Sequence, residues 1–312
     1  MNNLSVKFDR FKKNFIRDRQ LYVMIILPSI LFVLFHYGPM YGLQIAFRNY
    51  RVADGIIGSE WVGLKWFKDF LSDPRFGEIF WNTLALSLYS LLTFPLGVIL
   101  ALIFNAITNK RYVKTVQVIS YMPHFISAAV FVSILEMVLS PVVGIYGNIY
   151  RLFGGLGYPF DFRTSAAAFR HIYIWSGTWQ QVGWQTVLYT SALSAVSMEL
   201  HEAARIDGAS RFKRILYVDV PAIMPTVSLM LIMRIGSLIS IGFEKAYMLQ
   251  NTLNIRTSEI ISTYVYKKGM KDFRGFSYGA AVGLFNTVIN VTLLLIANTI
   301  SRKVSDDEVS LF

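Results

Sequence analysis

The chain has 312 residues, 54% hydrophobic and only 16% charged, and its apolar residues are gathered in long blocks. That composition excludes an ordinary soluble domain and points to membrane spans. The lack of cysteine and the four scattered histidines exclude a disulfide scaffold and a metal cluster, and the net charge of +11 suits anionic lipid headgroups rather than nucleic acid.

Residues 1–20 carry Lys7, Arg10, Lys12, Lys13, Arg17 and Arg19, with Phe8, Phe11 and Phe15 recurring three and four residues apart. The pattern predicts a short basic helix on the inner bilayer surface. No small-residue cleavage site follows the first half of the next apolar run. It therefore reads as a first span, about 21–47, and not as a signal peptide. Residues 48–78 are mixed and predicted external, with Trp61, Trp66 and Phe67 suited to the headgroup layer.

A second span is expected at about 80–107, then a basic cytoplasmic turn of Asn109, Lys110, Arg111 and Lys114, then a third span at 117–139 kinked at Pro123. The glycine-rich stretch 141–164 is external. The fourth span is placed at 166–196, the fifth at 220–243 and the sixth at 278–300, with an external loop over 244–276 and a cytoplasmic tail at 301–312. Each span exceeds the roughly 20 residues that cross about 30 Å of hydrocarbon. The fold class is all-α, a polytopic membrane protein with six transmembrane helices and both termini cytoplasmic. Lys and Arg totals differ little between the two sides, so this orientation rests on the higher density of basic residues in the short inner segments.

Between the fourth and fifth spans lies a charged segment, 199–219. Glu202-Ala203-Ala204-Arg205-Ile206 are strong helix formers, and Asp207-Gly208 stops them because glycine takes the left-handed conformation that closes a helix. A second helix is predicted from Ala209 to Tyr217, with Pro221 in the first turn of the next span. His201-Glu202-Ala203-Ala204-Arg205 lacks the second histidine of a zinc-protease HExxH, and Gly58 to Lys65 lacks the phosphate-loop ending. The chain has no nucleotide-binding signature.

Glu202-Ala203-Ala204, Asp207-Gly208-Ala209 and Val218-Asp219-Val220-Pro221 resemble the EAA loop of permease subunits of bacterial ABC importers, the binding-protein-dependent, MalF/MalG-like type I family. The usual Ile-x-Leu-Pro ending is replaced conservatively. Phe70-Leu71-Ser72-Asp73-Pro74 with Asn82-Thr83 is similar to the entry to that family's six-span core. Ser258 to Tyr266 and Tyr278 to Asn286 resemble its carbohydrate branch, within it the polysaccharide permeases of the LplB type. The Gly-Gly-Pro common in sugar permeases is absent, and Asn251 to Arg256 stands in its place. The resemblance implies that 199–219 is a cytoplasmic coupling loop docking on a separate ATPase, with Glu202, Ala203, Ala204, Asp207, Gly208, Ala209 and Pro221 as its coupling residues. It also implies a second homologous permease, a cytoplasmic ABC ATPase dimer that binds ATP and Mg, and an extracytoplasmic solute-binding protein. This chain would bind no cofactor and do no chemistry of its own.

Polar groups inside a span are costly unless they face a cavity or a partner. The fourth span offers Arg170, His171, Trp175, Trp179, Gln181 and Gln185. On a 3.6 period His171, Trp175 and Trp179 share one face, with Arg170, Gln181 and Gln185 beside it. Rings beside amides suit a sugar, although single tryptophans also serve as interface anchors. Arg234 stands mid-span; it would pair with Glu136 or hold an anionic substrate such as a uronate-bearing oligosaccharide. Gly279, Gly283, Asn286 and Asn290 form a stripe suited to helix packing, with a cavity role for the two asparagines as the alternative. A glycerol phosphate permease is the competing reading within the family. A membrane-embedded transferase would need paired acids or a His cluster, and Glu136 stands alone.

Overall fold

A computed structural model describes residues 17–271 and 275–304. The predicted surface helix around Phe8, Phe11 and Phe15 and most of the tail lie outside the described residues. The described chain is mostly helical. One small antiparallel hairpin departs from the all-α expectation: β1 (Arg48–Arg51) and β2 (Ser59–Trp61), with Arg48 opposite Trp61.

The helices, in order, begin with α1 (Arg19–Phe32), which runs on through a π turn and a 3₁₀ stretch to Phe47. None of the side chains of α1 is buried. After α2 (Lys65–Leu71) come α3 (Phe76–Leu92) and α4 (Pro95–Ala106), one span interrupted at Thr93–Phe94 because Pro95 offers no N–H to the ladder. Next are α5 (Lys110–Tyr121), α6 (Ala128–Val138), α7 (Ile145–Leu152) and α8 (Ala166–Ser194). The charged segment forms α9 (Met198–Ile206) and α10 (Arg211–Arg214), followed by α11 (Val220–Gly236), α12 (Phe243–Leu249), α13 (Ile261–Lys271) and α14 (Gly275–Val304).

Among the described residues four helical runs are long and apolar enough to cross a bilayer, and the bent pair α5–α6 makes a fifth. The predicted fourth span, α8, has the length at 29 residues, but Arg170, His171, Gln180, Gln181 and Gln185 interrupt its apolar surface.

Two predicted spans are corrected. The third is not a kinked rod but two helices bent by 103°. Pro123 opens a single 3₁₀ turn, Ile126 is extended, and the Ser127 hydroxyl caps a fresh helix by accepting from the Val130 N–H. The fifth stops at Gly236 rather than 243. Residues 237–242 leave the helix, and their backbone is satisfied by local turn bonds and by side chains: Asn290 Oδ1 accepts from the Ile239 N–H at 3.1 Å, and the Ser87 hydroxyl donates to the Leu238 carbonyl. Non-helical backbone inside a bundle survives only with such partners.

Helix α8 is the axis of the bundle. Its Phe169 and Ile174 pack with Leu86, Val132, Leu249 and Ile260, and its Tyr189 and Leu193 pack with Ala101 and Ile223. Lipid is as apolar as leucine, so close approach rather than water exclusion holds such helices together. The closest approach is at Gly183, where an added Cβ would lie 2.0 Å from the Ser120 carbonyl oxygen of α5. Nothing flexible can yield there. Gly183→Val should destabilise the bundle by about 1–3 kcal/mol, read as a lower unfolding midpoint in detergent, while Gly42→Val, at a site with open space around it, should not.

At the end of the bundle predicted to be external, Glu259 accepts from Arg75 Nη1 at 2.9 Å and from Lys267 Nζ at 3.2 Å. Burial pushes the neighbouring Asp73 carboxyl up. The Tyr264 hydroxyl, the Arg75 N–H and the charges of Lys268 and Arg75 outweigh it and hold Asp73 below the usual carboxylate range.

Candidate functional site

Two places carry chemistry, the charged segment and a cavity within the bundle. Ser197 caps α9, accepting from the Glu199 N–H at 3.2 Å. Helix α9 ends at Asp207, and Gly208 follows at φ +75. The Gly208 and Ala209 N–H groups close the turn on the Arg205 and Ala204 carbonyls at 3.1 and 2.9 Å. Ser210 then caps α10, so the second helix begins at Arg211 rather than Ala209.

From Arg211 the chain is one helical run to Gly236, widened to a π turn at Ile215–Asp219. That widening precedes Pro221, whose ring cannot sit over a normal preceding turn. Glu202, Ala203, Asp207 and Gly208 are exposed. Around them Ile206 (86% exposed) and Phe212 (71%) stand out as apolar knobs. On the inner side Asp219 is buried, accepting from Asn105 Nδ2 at 3.3 Å and lying 3.3 Å from His201 Nε2. A contact between α9, the base of α11 and the end of α4 thus centres on one carboxylate. Sequence reasoning passed over Asp219, although a lone acid leading into an apolar run was its visible signal.

The cavity, about 320 Å³, lies between α3, α8, α11 and the non-helical stretch 237–242. Of the predicted residues, Gln181, Gln185 and Arg234 line it, together with Ser90, Thr93, Tyr173, Ser237, Ser240 and Lys245. Among the described residues no Asp or Glu lines it. Arg234 Nη2 donates to the Ser90 hydroxyl at 3.2 Å. It does not meet Glu136, which instead accepts from Arg163 Nη1 at 3.3 Å. Gln181 Oε1 accepts from His124 Nδ1 at 2.9 Å, and the His124 ring stacks on Trp184 at 4.6 Å, so the bent pair braces this wall.

The other candidates fall elsewhere. Arg170 Nη2 donates to Asn82 Oδ1 at 2.9 Å, and Asn82 in turn donates to the Arg256 and Glu259 carbonyls, joining α8 to α3 away from the cavity. His171 and Trp175 meet at the Tyr89 hydroxyl, at 2.9 and 2.8 Å. Trp175 and Trp179 line a separate, outward-facing apolar groove with Leu96, Ile99 and Ile103, so the aromatic face predicted for a sugar is turned away from the cavity. Asn286 lines a shallow groove beside Gly279 and Gly283, its Oδ1 buried without a partner among the described residues. Asn290 orders the cavity wall, accepting from the Ile239 N–H and donating to the Ser240 hydroxyl at 2.8 Å. Lys245 was missed by the sequence reading, because it lies in a stretch assigned to an external loop.

A helical bundle with a charged two-helix segment between spans, and a polar cavity lined by Arg234 and Lys245, has the layout of a transport scaffold. The chain belongs to the family of binding-protein-dependent transport system inner membrane components, which it matches over residues 93–306. It is 38% identical to the polygalacturonan/rhamnogalacturonan transport system permease protein YteP of Bacillus subtilis (strain 168), over 94% of this chain and 90% of that one. It is likewise 38% identical to Protein LplB of the same organism, over 92% and 90%. A chain in the crystal structure of a bacterial alginate ABC transporter, in complex with alginate pentasaccharide-bound periplasmic protein, superimposes with a TM-score of 0.85 at 34% identity, covering 97% of this chain and 100% of that one.

The fold is that of a type I ABC permease, and the family is one of transport permeases rather than enzymes.

Proposed function

We propose that this chain is one permease subunit of an ATP-driven importer for acidic oligosaccharides. The observation that carries the reading is the cavity, which holds Arg234 and Lys245 and, among the described residues, no carboxylate. In a low-dielectric bundle basic side chains are costly to charge without a carboxylate partner, and an arriving carboxylate removes that cost whereas a neutral sugar does not. Ser90, Thr93, Gln181 and Gln185 supply hydroxyl and amide groups for sugar hydroxyls. The names of the relatives, a polygalacturonan/rhamnogalacturonan permease and an alginate importer, support the same substrate class.

The proposed assembly pairs this chain with a second homologous permease above a cytoplasmic ATPase dimer, which binds the ATP and Mg. An extracytoplasmic solute-binding protein delivers substrate to the loops at 48–78, 141–164 and 244–276. Both termini are cytoplasmic in this arrangement. Closure of the ATPases moves the 199–219 segment, and the helices rock so that the cavity opens to opposite sides in turn. Asp219 ties α9 to α4 and α11, so a push on α9 reaches two spans together.

The test is a binding-protein-dependent ATPase assay on the co-purified complex. Oligogalacturonates or oligoalginates should stimulate hydrolysis, and neutral malto-oligosaccharides should not. Stimulation by sn-glycerol 3-phosphate alone would replace the oligosaccharide reading, and a chain that purifies without any ATPase would remove the importer reading.

A further inference from the structure

Lys245 has an unusual setting. It projects from α12 into the cavity wall, and among the described residues its one hydrogen bond runs from Nζ to the Tyr173 carbonyl at 2.7 Å. Two ring faces also flank the nitrogen, Tyr173 at 4.7 Å and Phe131 at 5.3 Å. Opposite it stands Gly177 of α8, where an added Cβ would come within 2.9 Å of Nζ. The helix surface is notched at the point the ammonium occupies.

A purely structural role explains this poorly. An unbranched apolar side chain would fill the space between two aromatic rings at less cost than a charge lacking a carboxylate. An ammonium has three donors, and a carbonyl and two rings are weaker partners than a carboxylate.

We propose that Lys245 is a specificity-determining residue of the transport site. In the substrate-free state its ammonium rests on the Tyr173 carbonyl, and it transfers to a carboxylate of the oligosaccharide when the cavity fills. Gly177 provides the room for that ammonium. This rests on the acidic-substrate reading above and adds to it a second anion-binding position on α12, separate from Arg234 on α11.

The experiment compares uptake of trigalacturonate and of its methyl ester by the complete reconstituted transporter, with the same binding protein throughout. Any change in the acid-to-ester ratio then belongs to the permease. K245M should lower that ratio by about 10- to 100-fold, the worth of a charge-assisted hydrogen bond. K245R should keep the ratio within a few-fold of wild type. An unchanged ratio in K245M overturns the inference, as does an equal loss of both substrates in K245M and K245R, which marks a packing role. A wild-type transporter that takes up neither probe, or takes up the ester as well as the acid, overturns the acidic-substrate reading and this inference with it.

Discussion

Replacing Gly208 with a bulky residue, or Glu202 with lysine, is expected to abolish ligand-stimulated ATP hydrolysis while the protein still inserts in the membrane. Gly208 sits at φ +75, a conformation that costs an L-residue about 1–2 kcal/mol. Yet a Cβ placed there meets nothing within 4 Å among the described residues. The backbone strain is small enough for the fold to bear, so the larger harm falls on whatever docks against the exposed turn. Glu202 is exposed on the same segment, and lysine there turns attraction to a basic partner into repulsion. Hydrolysis should fall to the rate seen without substrate and binding protein. Ligand-stimulated hydrolysis that survives in both variants would take the coupling role away from this segment.

Arg234→Gln is expected to cut uptake of acidic oligosaccharides about 10- to 100-fold while sparing neutral ones, the loss of one charge-assisted contact of about 1.5–3 kcal/mol. The present partner of Arg234, the Ser90 hydroxyl at 3.2 Å, is neutral, so its charge is left for a ligand. Glutamine removes the charge and keeps a polar amide on a shorter side chain. Uptake assays in intact cells separate the outcomes. If acidic and neutral substrates are both unaffected, Arg234 has no substrate role. An equal fall in both would mark a packing role.

The elements came through the sequence unevenly. Gly208 was legible because a helix stop in a charged, alanine-rich segment has one common backbone solution. Arg234 was legible because a lone cation inside an apolar run is costly wherever it lies. On α8 periodicity says that His171, Trp175 and Trp179 share a side, not which side turns inward. Leu96, Ile99 and Ile103 of α4 meet Trp175 and Trp179 from outside the cavity. Likewise the break at Ile126–Ser127 depends on Gln180 of α8, which donates to the Ile126 carbonyl at 3.1 Å and stabilises a turn that Pro123 alone would only bend.

From the order of its residues alone, the membrane-spanning class of this protein follows: apolar blocks long enough for a bilayer and one charged segment between two of them. These are local and compositional matters, decided by the cost of placing charge in lipid and by the backbone freedom of a single glycine. What only the folded bundle decided is where charge meets empty space. Lys245 lies in a polar stretch that looks like a loop, and only the packing of α12 against α8, with Gly177 leaving room, brings its ammonium to the cavity. Such a meeting depends on contacts between residues far apart in the chain, which no pattern within one segment encodes.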